Sequence, residues 1–195
     1  MKYNKLNYFI SGLFLLTYTI TFLIDFFTVK AISLVSFVMC VGALFAFFIF
    51  LRKLDSLYYV GILVFTFFAQ FLGAMLNMYT VIPIYDLLLH FSSGTLLVFL
   101  GHYAYELLLK HDTNKNIPLV ITIFFCTLFS IASAAVWEIW EFSGDVLFGL
   151  NSQIDLNDTM TDIIAGSVGA IIGSILLWLI LKKRKATSLI KDTKI

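Results

Sequence analysis

Six long apolar stretches, separated by short polar segments, follow one another along the chain. They cover roughly residues 7–27, 31–51, 57–79, 84–109, 118–141 and 159–181. A helix needs about 20 apolar residues to cross a hydrocarbon core of ~30 Å, so each stretch is long enough to span a membrane. None shows the period-2 alternation of a membrane β-barrel, and helices satisfy their own backbone polar groups in lipid. The pattern therefore predicts an all-α polytopic membrane protein, a six-transmembrane-helix bundle forming one membrane domain over residues 1–195.

Composition agrees with this prediction and excludes several classes of protein. Hydrophobic residues make up 61% and charged residues 13% of the chain, which contains 21 Phe. A soluble domain has roughly 45–50% apolar and about 25% charged residues. A soluble protein of this size could not hide so much apolar surface, so a soluble enzyme, a disordered chain and a nucleic-acid binder are excluded. Cys40 and Cys126 lie inside apolar stretches and imply no disulfide framework.

The basic residues predict the orientation of the spans. Twelve of the 13 Lys and Arg residues fall on one side of the predicted membrane, and Lys30 alone falls on the other. Lys and Arg are enriched in cytoplasmic segments, so we assign this side to the cytoplasm. An even number of spans then places both termini in the cytoplasm of a bacterial cell, with the protein in the plasma membrane. The twelve residues are Lys2, Lys5, Arg52, Lys53, Lys110, Lys115, Lys182, Lys183, Arg184, Lys185, Lys191 and Lys194.

Acidic residues are divided in the opposite sense. Twelve bases against four acids give +8 on the predicted inner side, and one base against eight acids gives −7 on the outer side. The net charge of +1 is thus the small difference between two large opposite charges. The inner acids are Asp55, Glu106, Asp112 and Asp192. The outer acids are gathered mainly at three predicted helix ends, where we expect any chemistry to lie.

These three helix ends carry acidic residues and one histidine at helical spacing: Asp86, His90, Glu138, Glu141, Asp158 and Asp162. Residues three or four apart share a helix face, so each pair projects in one direction. Carboxylates at one depth repel one another unless a cation lies among them or some are protonated. Ionisable groups inside a membrane are functional-site hypotheses by default. The set therefore predicts a polar functional site at the outer face.

A single histidine among carboxylates is a hard, oxygen-rich ligand set. It favours Mg²⁺, Mn²⁺ or Ca²⁺, and suits Zn²⁺ less well. The candidate metal ligands are His90, Glu138, Glu141, Asp158 and Asp162, with Asp86 orienting His90. The alternative without metal is general acid–base catalysis by a carboxylate pair and the histidine. Its candidate catalytic residues are Glu138, Glu141, His90 and Asp86.

Structural roles for the same residues stay open. Asp158 or Thr159 fits the N-cap of the sixth span, and Thr159-x-x-Asp162 fits a capping box. Asp86, in the first turn after Pro83, suits the positive end of a helix dipole. Other roles are an aromatic belt for Tyr85, Trp137 and Trp140, a solvated loop for Asp145 and Asp155, and helix packing for Ala165, Gly169 and Gly173.

His102 and Glu106 form a separate pair at i,i+4 in the predicted inner half of the fourth span. His102 follows His90 by 12 residues, which is roughly 18 Å of helix. The pair either lies at the inner interface, with Glu106 reaching water, or forms the inner step of a proton path. His111 lies in a charged loop, where we expect no role.

The motifs at the three helix ends resemble those of the YjdF-like family of small bacterial inner-membrane proteins. They are YDLLLHFSSG at 85–94, WEIWEF at 137–142, and DTMTD at 158–162 before Gly166 and Gly169. The pattern is more distantly similar to that of VanZ-like proteins, which more often have Gln where Glu141 stands. The resemblance covers about residues 84–175. It implies a membrane fold and, through the VanZ-like proteins, a role in the cell envelope and glycopeptide-antibiotic tolerance.

Three functions are open at this stage. The first is a divalent-metal-dependent enzyme that acts at the outer leaflet on a lipid-linked or cell-envelope substrate. The second is a non-enzymatic envelope accessory or antibiotic-tolerance protein. The third is a proton- or cation-coupled transporter, although its sites usually lie near the midplane of inverted repeats, which the sequence does not show. The expected partners are the lipid bilayer and a lipid-linked substrate, with no nucleic acid.

Overall fold

The computed structural model describes residues 5–109, 117–150 and 152–192, with side chains as far as Arg184. These residues form seven α-helices and one π-helical segment, and none of them lies in a strand. Six helical segments are long and apolar enough to cross a membrane, which confirms the predicted all-α membrane fold. The predicted positions Lys2, Lys110, His111, Asp112, Lys115 and Lys194 lie outside the described residues. The α-helices are α1 (Lys5–Phe27), α2 (Leu34–Leu51), α3 (Ser56–Thr66), α4 (Met78–Val81), α5 (Tyr85–Leu109), α6 (Leu119–Phe148) and α7 (Leu156–Asp192).

The chain divides into two compact units, at residues 1–89 and 90–195. The first unit contains α1 to α4, and the second contains α6, α7 and most of α5. The division falls inside α5, between Leu89 and His90, and the helix is continuous through it. Each unit has its own buried apolar cluster.

An aromatic cluster holds the first unit together. Tyr18 of α1 is fully buried and stacks on Phe71, with ring centroids 4.8 Å apart and planes 13° from parallel. Phe67 stacks against the same two rings. Aromatic pairs bury large areas and add specific ring geometry, so they align α1 with the third span.

A buried asparagine fastens the other end of this unit. Asn7 donates from Nδ2 to the carbonyls of Arg52 and Leu54, at 3.1 and 3.0 Å, and its Oδ1 accepts from the Ser56 hydroxyl at 2.9 Å. These bonds satisfy part-buried backbone carbonyls of the turn between α2 and α3. The Asn7 side chain therefore fixes this turn on α1.

The third span changes helix type part-way, which its apolar pattern did not predict. After Thr66 the chain continues as a π-helical segment, Phe67–Met75. The segment ends where Leu76 donates to the Phe71 carbonyl at 2.9 Å and Asn77 adopts a left-handed conformation (φ 63°). A Cβ at Gly73 would overlap the Tyr79 ring, so a larger residue there would require this ring to move. The predicted span 57–79 is accordingly shorter, Ser56–Met75.

Close backbone contacts hold the second unit together. A Cβ at Gly94 of α5 would overlap the Gly166 carbonyl, and one at Gly169 of α7 would overlap the Phe91 carbonyl. Thr95 Oγ1 donates to the Gly169 carbonyl at 3.0 Å across this contact. The predicted small-residue ladder therefore packs α7 directly against α5, which small side chains allow in membranes.

Helix α6 is longer than predicted, which corrects the placement of two candidate site residues. The apolar stretch ends near Glu141, but the helix continues to Phe148 and stops at Gly149, whose φ is 65°. Glycine favours this left-handed helix end because it has no Cβ. Glu138 and Glu141 thus lie two to three turns inside the helix rather than at its C-terminus. Their charges do not oppose the helix dipole, which acts within the last turn.

Candidate functional site

A buried histidine lies close to two buried carboxylates in the second unit. The Nε2 atom of His90 on α5 lies 3.8 Å from Oε1 of Glu138 on α6 and 3.9 Å from Oδ2 of Asp162 on α7. The exposed fractions of these residues are 8%, 4% and 2%, respectively. The structure therefore brings one predicted residue from each of three helices to one place.

Small residues one turn deeper explain this convergence. Ala134 lies four residues before Glu138, and Gly166 lies four residues after Asp162. A Cβ at Gly166 would come 2.9 Å from the Ala134 Cβ and 3.6 Å from the His90 carbonyl oxygen. Because no larger side chain separates the helices at this level, the three polar side chains one turn away come within reach of one another.

The charge balance of this group is unusual for a membrane interior. One protonated histidine can balance one of the two buried carboxylates. Burying a charge away from water is costly unless it is paired, hydrogen-bonded or bound to a metal. The distances of 3.8 and 3.9 Å exceed those of direct N–H···O hydrogen bonds, which are about 2.7–3.2 Å. The His90 Nε2 atom therefore makes no direct hydrogen bond to either of these two oxygens.

Asp86 lies one helical turn before His90 on α5, as its i,i+4 spacing predicts. One ligand atom from each of Asp86, His90 and Asp162 lies within 4.8 Å of the others. Asp86 is half-buried. Because α5 is continuous, the helix itself fixes this carboxylate relative to the histidine.

The separations in this group suit a divalent cation. Oxygen and nitrogen ligands lie about 2.0–2.6 Å from such an ion. Two ligands of one ion are consequently ~3–5 Å apart, the value increasing with the angle between the two bonds. The distances of 3.8 and 3.9 Å and the 4.8 Å limit all fall in this range. Of the predicted ligands, His90, Glu138 and Asp162 lie close together, and Asp86, predicted to orient His90, forms a group with His90 and Asp162. Neither group includes the predicted ligands Glu141 and Asp158.

Glu141 is engaged by a neighbouring aromatic side chain. On the exposed side of α6, Trp137 donates from Nε1 to Glu141 Oε1 at 2.9 Å. The Trp137 side chain is exposed, as is that of Trp140. A groove of about 460 Å³ runs along this face of the helix, lined by apolar and aromatic residues that include Phe129, Val136 and both Trp rings.

Asp158 takes part in the turn that starts α7, and this turn differs from the prediction. Asp155 precedes the helix and accepts a hydrogen bond from the Asp158 backbone N–H at 2.9 Å, so it is the capping side chain. Asp158 Oδ2 in turn accepts from the Ile154 N–H at 3.3 Å. The predicted caps at Asp158 and Thr159 are therefore wrong by about one turn. Asp162 lies about two turns beyond this cap, and its side chain lies beside His90 instead.

Asp145 also differs from its predicted place in a solvated loop. It lies inside α6, and its carboxylate accepts the backbone N–H groups of Ser152 and Gln153 at 2.7 and 2.8 Å. The sequence contained a signal for this role, because Asp and Asn side chains commonly accept backbone N–H groups in turns. Asp145 and Asp155 thus shape the α6–α7 turn that places the start of α7.

The second predicted pair lies further along α5. His102 Nε2 is 3.7 Å from Glu106 Oε1, with the histidine buried and the Glu106 side chain exposed. Between the two histidines lies Val98, which is fully buried in an apolar cluster with Cys126 and Ala170. This packing separates the pair from His90 by a layer of apolar side chains.

Comparison with known proteins gives a family but no activity. A curated protein from Thermotoga maritima, described as an uncharacterized protein, is 32% identical over 100 residues. The match covers 50% of each chain, so this chain spans about half the length of the curated relative it matches. No solved structure matches the chain. A family described as "Predicted membrane protein (DUF2238)" matches residues 4–183. With six apolar helices in agreement, the chain belongs to this family and is a multi-pass protein of the bacterial plasma membrane.

Proposed function

We propose that this protein holds a divalent cation between α5, α6 and α7 and uses it on a lipid-linked or cell-envelope substrate at the predicted outer face. The observation that carries this proposal is the position of His90 Nε2, 3.8 Å from Glu138 and 3.9 Å from Asp162. Ionisable groups within membrane-spanning helices are rare unless they serve a function.

His90, Glu138 and Asp162 are the proposed ligands, one from each helix. Asp86 completes the set or orients the His90 ring through its other nitrogen, as carboxylates commonly do beside metal-binding histidines. Glu141 and Asp158 stay predicted ligands, and the measurement below tests them separately. A cation here would polarise a substrate oxygen or activate a bound water molecule, so that hydrolysis or group transfer becomes possible.

The groove on α6 offers an apolar surface to the hydrocarbon part of a lipid-linked substrate. It lies on the exposed side of the helix, because Ser133, Val136 and Trp140 are about 140–160° round the helix from Glu138 at 100° per residue. A hydrocarbon chain lying along it would reach the level of Glu138, and the attached polar group would have to pass around α6 to reach the site. The finer assignment to the YjdF-like proteins, and an accessory role in the envelope, are proposals supported by the motifs at 85–94, 137–142 and 158–162.

Metal analysis of the purified full chain tests the site. Wild-type protein in nanodiscs, equilibrated with Mg²⁺, Mn²⁺, Ca²⁺ or Zn²⁺ and then washed, should retain about one ion per chain, measured by mass spectrometry of the elements. His90→Ala, Glu138→Gln and Asp162→Asn should each lose the ion, because every ligand contributes to a site of this size. Glu141→Gln and Asp158→Asn report whether those two carboxylates also bind.

The matched control is His102→Ala, which removes the other buried histidine of α5. It should retain the ion, because an apolar layer separates His102 from His90. The proposal is wrong if wild-type protein retains none of the four ions, or if the three ligand variants retain as much as wild type while folding normally. Loss of the ion in the control alone would move the site to His102.

Transport is a second candidate, favoured by the His102–Glu106 pair. Such a pair on the predicted inner half of α5 could exchange protons with the cytoplasm. In proteoliposomes, a coupled transporter should show a proton flux that His102→Ala abolishes. An enzyme that does not transport should show none, and should be sensitive to His90→Ala instead.

A further inference from the structure

A second cavity lies in the first unit, away from the residues of the proposed metal site. It has a volume of about 630 Å³ and lies where the end of α1, the start of α2 and the end of the π-helical segment meet. Its volume is within the range of small-molecule sites, about 300–1,000 Å³. One wall is the end of a π-helical segment, and such segments occur frequently at functional sites.

One carboxylate gives this cavity a negative charge. Asp25 lines it, and its Oδ1 and Oδ2 accept the backbone N–H groups of Ala31 and Ile32 at 3.2 and 2.8 Å. These bonds hold the carboxylate in place but do not neutralise it. Among the residues that the structure describes, no basic side chain forms an ion pair with Asp25, including Lys30 of the same loop. The cavity therefore presents an oriented, uncompensated anion.

Further polar side chains line the cavity and are available to a ligand. In the described part of the chain, the side chains of Thr21, Ser36 and Asn77 make no hydrogen bond. Asn77 also has the left-handed backbone (φ 63°) that non-glycine residues rarely adopt. Hydroxyl and amide oxygens accept hydrogen bonds, so together with Asp25 they offer several acceptors to one ligand.

Most of the remaining lining is apolar, apart from Thr28 and Ser33, whose hydroxyls hydrogen-bond to nearby backbone groups, and this limits the class of ligand. Ile24, Val29 and Met75 cover part of the walls. An anion is disfavoured by Asp25, and a bare metal ion would leave most of a cavity of this size empty. A primary ammonium group carries one positive charge and three hydrogen-bond donors, which match the carboxylate and the neutral oxygens. A short carbon segment attached to it would lie against the apolar walls.

We propose that this cavity binds a primary ammonium group, carried either by a lipid headgroup or by a free amine. The ends of α1 and of the third span place it at the predicted outer interface, where headgroups lie. Free ethanolamine and phosphatidylethanolamine present the same chemistry from these two sources. The proposal does not depend on the metal site, because none of the residues that carry it belongs to that site.

Binding measurements on the full chain in nanodiscs test the proposal. In phosphatidylcholine nanodiscs, calorimetric titration with ethanolamine should show saturable binding if the source is a free amine. Native mass spectrometry after mixed-lipid reconstitution should show phosphatidylethanolamine retained over phosphatidylcholine if the source is a headgroup. Either result supports the proposal and identifies the source. Absence of both, with folded wild-type protein, would overturn it.

Two variants and one control make the test specific. Asp25→Asn removes the charge while keeping an oxygen for a loop N–H, and Ser36→Leu fills the cavity without touching the carboxylate. Each should weaken binding by about tenfold or more, Asp25→Asn because a charge-assisted contact is lost and Ser36→Leu because the larger side chain occupies the space of the ligand. Thr19→Val is the control, because the Thr19 hydroxyl bonds to Leu15 of its own helix outside the cavity. Equal binding by both variants and the control would also overturn the proposal.

Discussion

His90 illustrates how single residues of this protein depend on their surroundings. His90 and His102 are both buried on α5 and each has an acidic residue four positions away, but the imidazole of His90 also lies beside Glu138 and Asp162. The difference lies in the residues opposite. His90 faces carboxylates from two other helices, whereas the closest acid to His102 is Glu106 of the same helix. Side chains from three different helices can surround one ion from several directions, whereas His102 and Glu106 come from a single helix.

Asn7 offers a residue-scale prediction about stability. Asn7→Ala removes three hydrogen bonds, two of them to the backbone carbonyls of Arg52 and Leu54. Leaving buried polar groups unsatisfied costs about 1–3 kcal/mol, so the thermal unfolding midpoint in detergent should fall. The control, Thr17→Ala, removes a hydroxyl that bonds only to Leu13 one turn earlier and should change the midpoint little. Similar midpoints for both variants would show that Asn7 does not fasten the turn.

At the scale of the elements, the contact between helices α5 and α7 positions the candidate site. Backbone atoms meet there, since Gly94 and Gly169 leave no space for a side chain. Asp162 lies seven residues before Gly169, about two turns along the same helix. Any separation of the two helices at Gly169 is therefore transmitted to the distance between Asp162 and His90.

Gly169→Ala tests this dependence at the scale of the element. The new methyl group would overlap the Phe91 carbonyl, so α7 must shift, at a cost of roughly 1–3 kcal/mol. We expect a lower unfolding midpoint together with weaker ion retention, measured as for the ligand variants. Gly42→Ala is the matched control, because it adds a methyl group to a helix with nothing within 4 Å. It should leave ion retention unchanged and keep or raise stability, since alanine is the better helix former.

At the scale of the whole molecule, charge is predicted to set the orientation in the membrane. Ile154 is an exposed residue between α6 and α7, on the predicted outer side. We therefore expect the cysteine of the Ile154→Cys variant to react with a membrane-impermeant maleimide in intact cells. Lys53→Cys, between α2 and α3, should react only in inverted vesicles. The native Cys40 and Cys126 are fully buried and should give little background. The opposite labelling pattern would reverse the assignment of the two faces.

The spans were predictable because hydrocarbon thickness imposes length and apolarity on every crossing helix. The grouping of His90, Glu138 and Asp162 was predictable in outline, because helical spacing and small residues place each on a stripe that faces its neighbours. Hydropathy carried no information about the continuation of α6 to Phe148, since a helix leaving the membrane need not stay apolar. The choice of Asp155 over Asp158 as cap depends on local hydrogen bonds, and the apolar pattern contains no signal for the change to a π-helical segment after Thr66.

The backbone contact between α5 and α7 also bears on which ions could occupy the site. Two touching main chains cannot separate by a few tenths of an ångström without losing that contact, so the gap between the roots of the His90 and Asp162 side chains is fixed. Mg²⁺ bonds are about 2.0–2.1 Å long and Ca²⁺ bonds about 2.3–2.6 Å. The difference would have to be absorbed by side-chain rotation on α6, chiefly of Glu138. Selectivity between ions of different radius would then depend on how far the Glu138 carboxylate can move, because the backbones of α5 and α7 are held in contact.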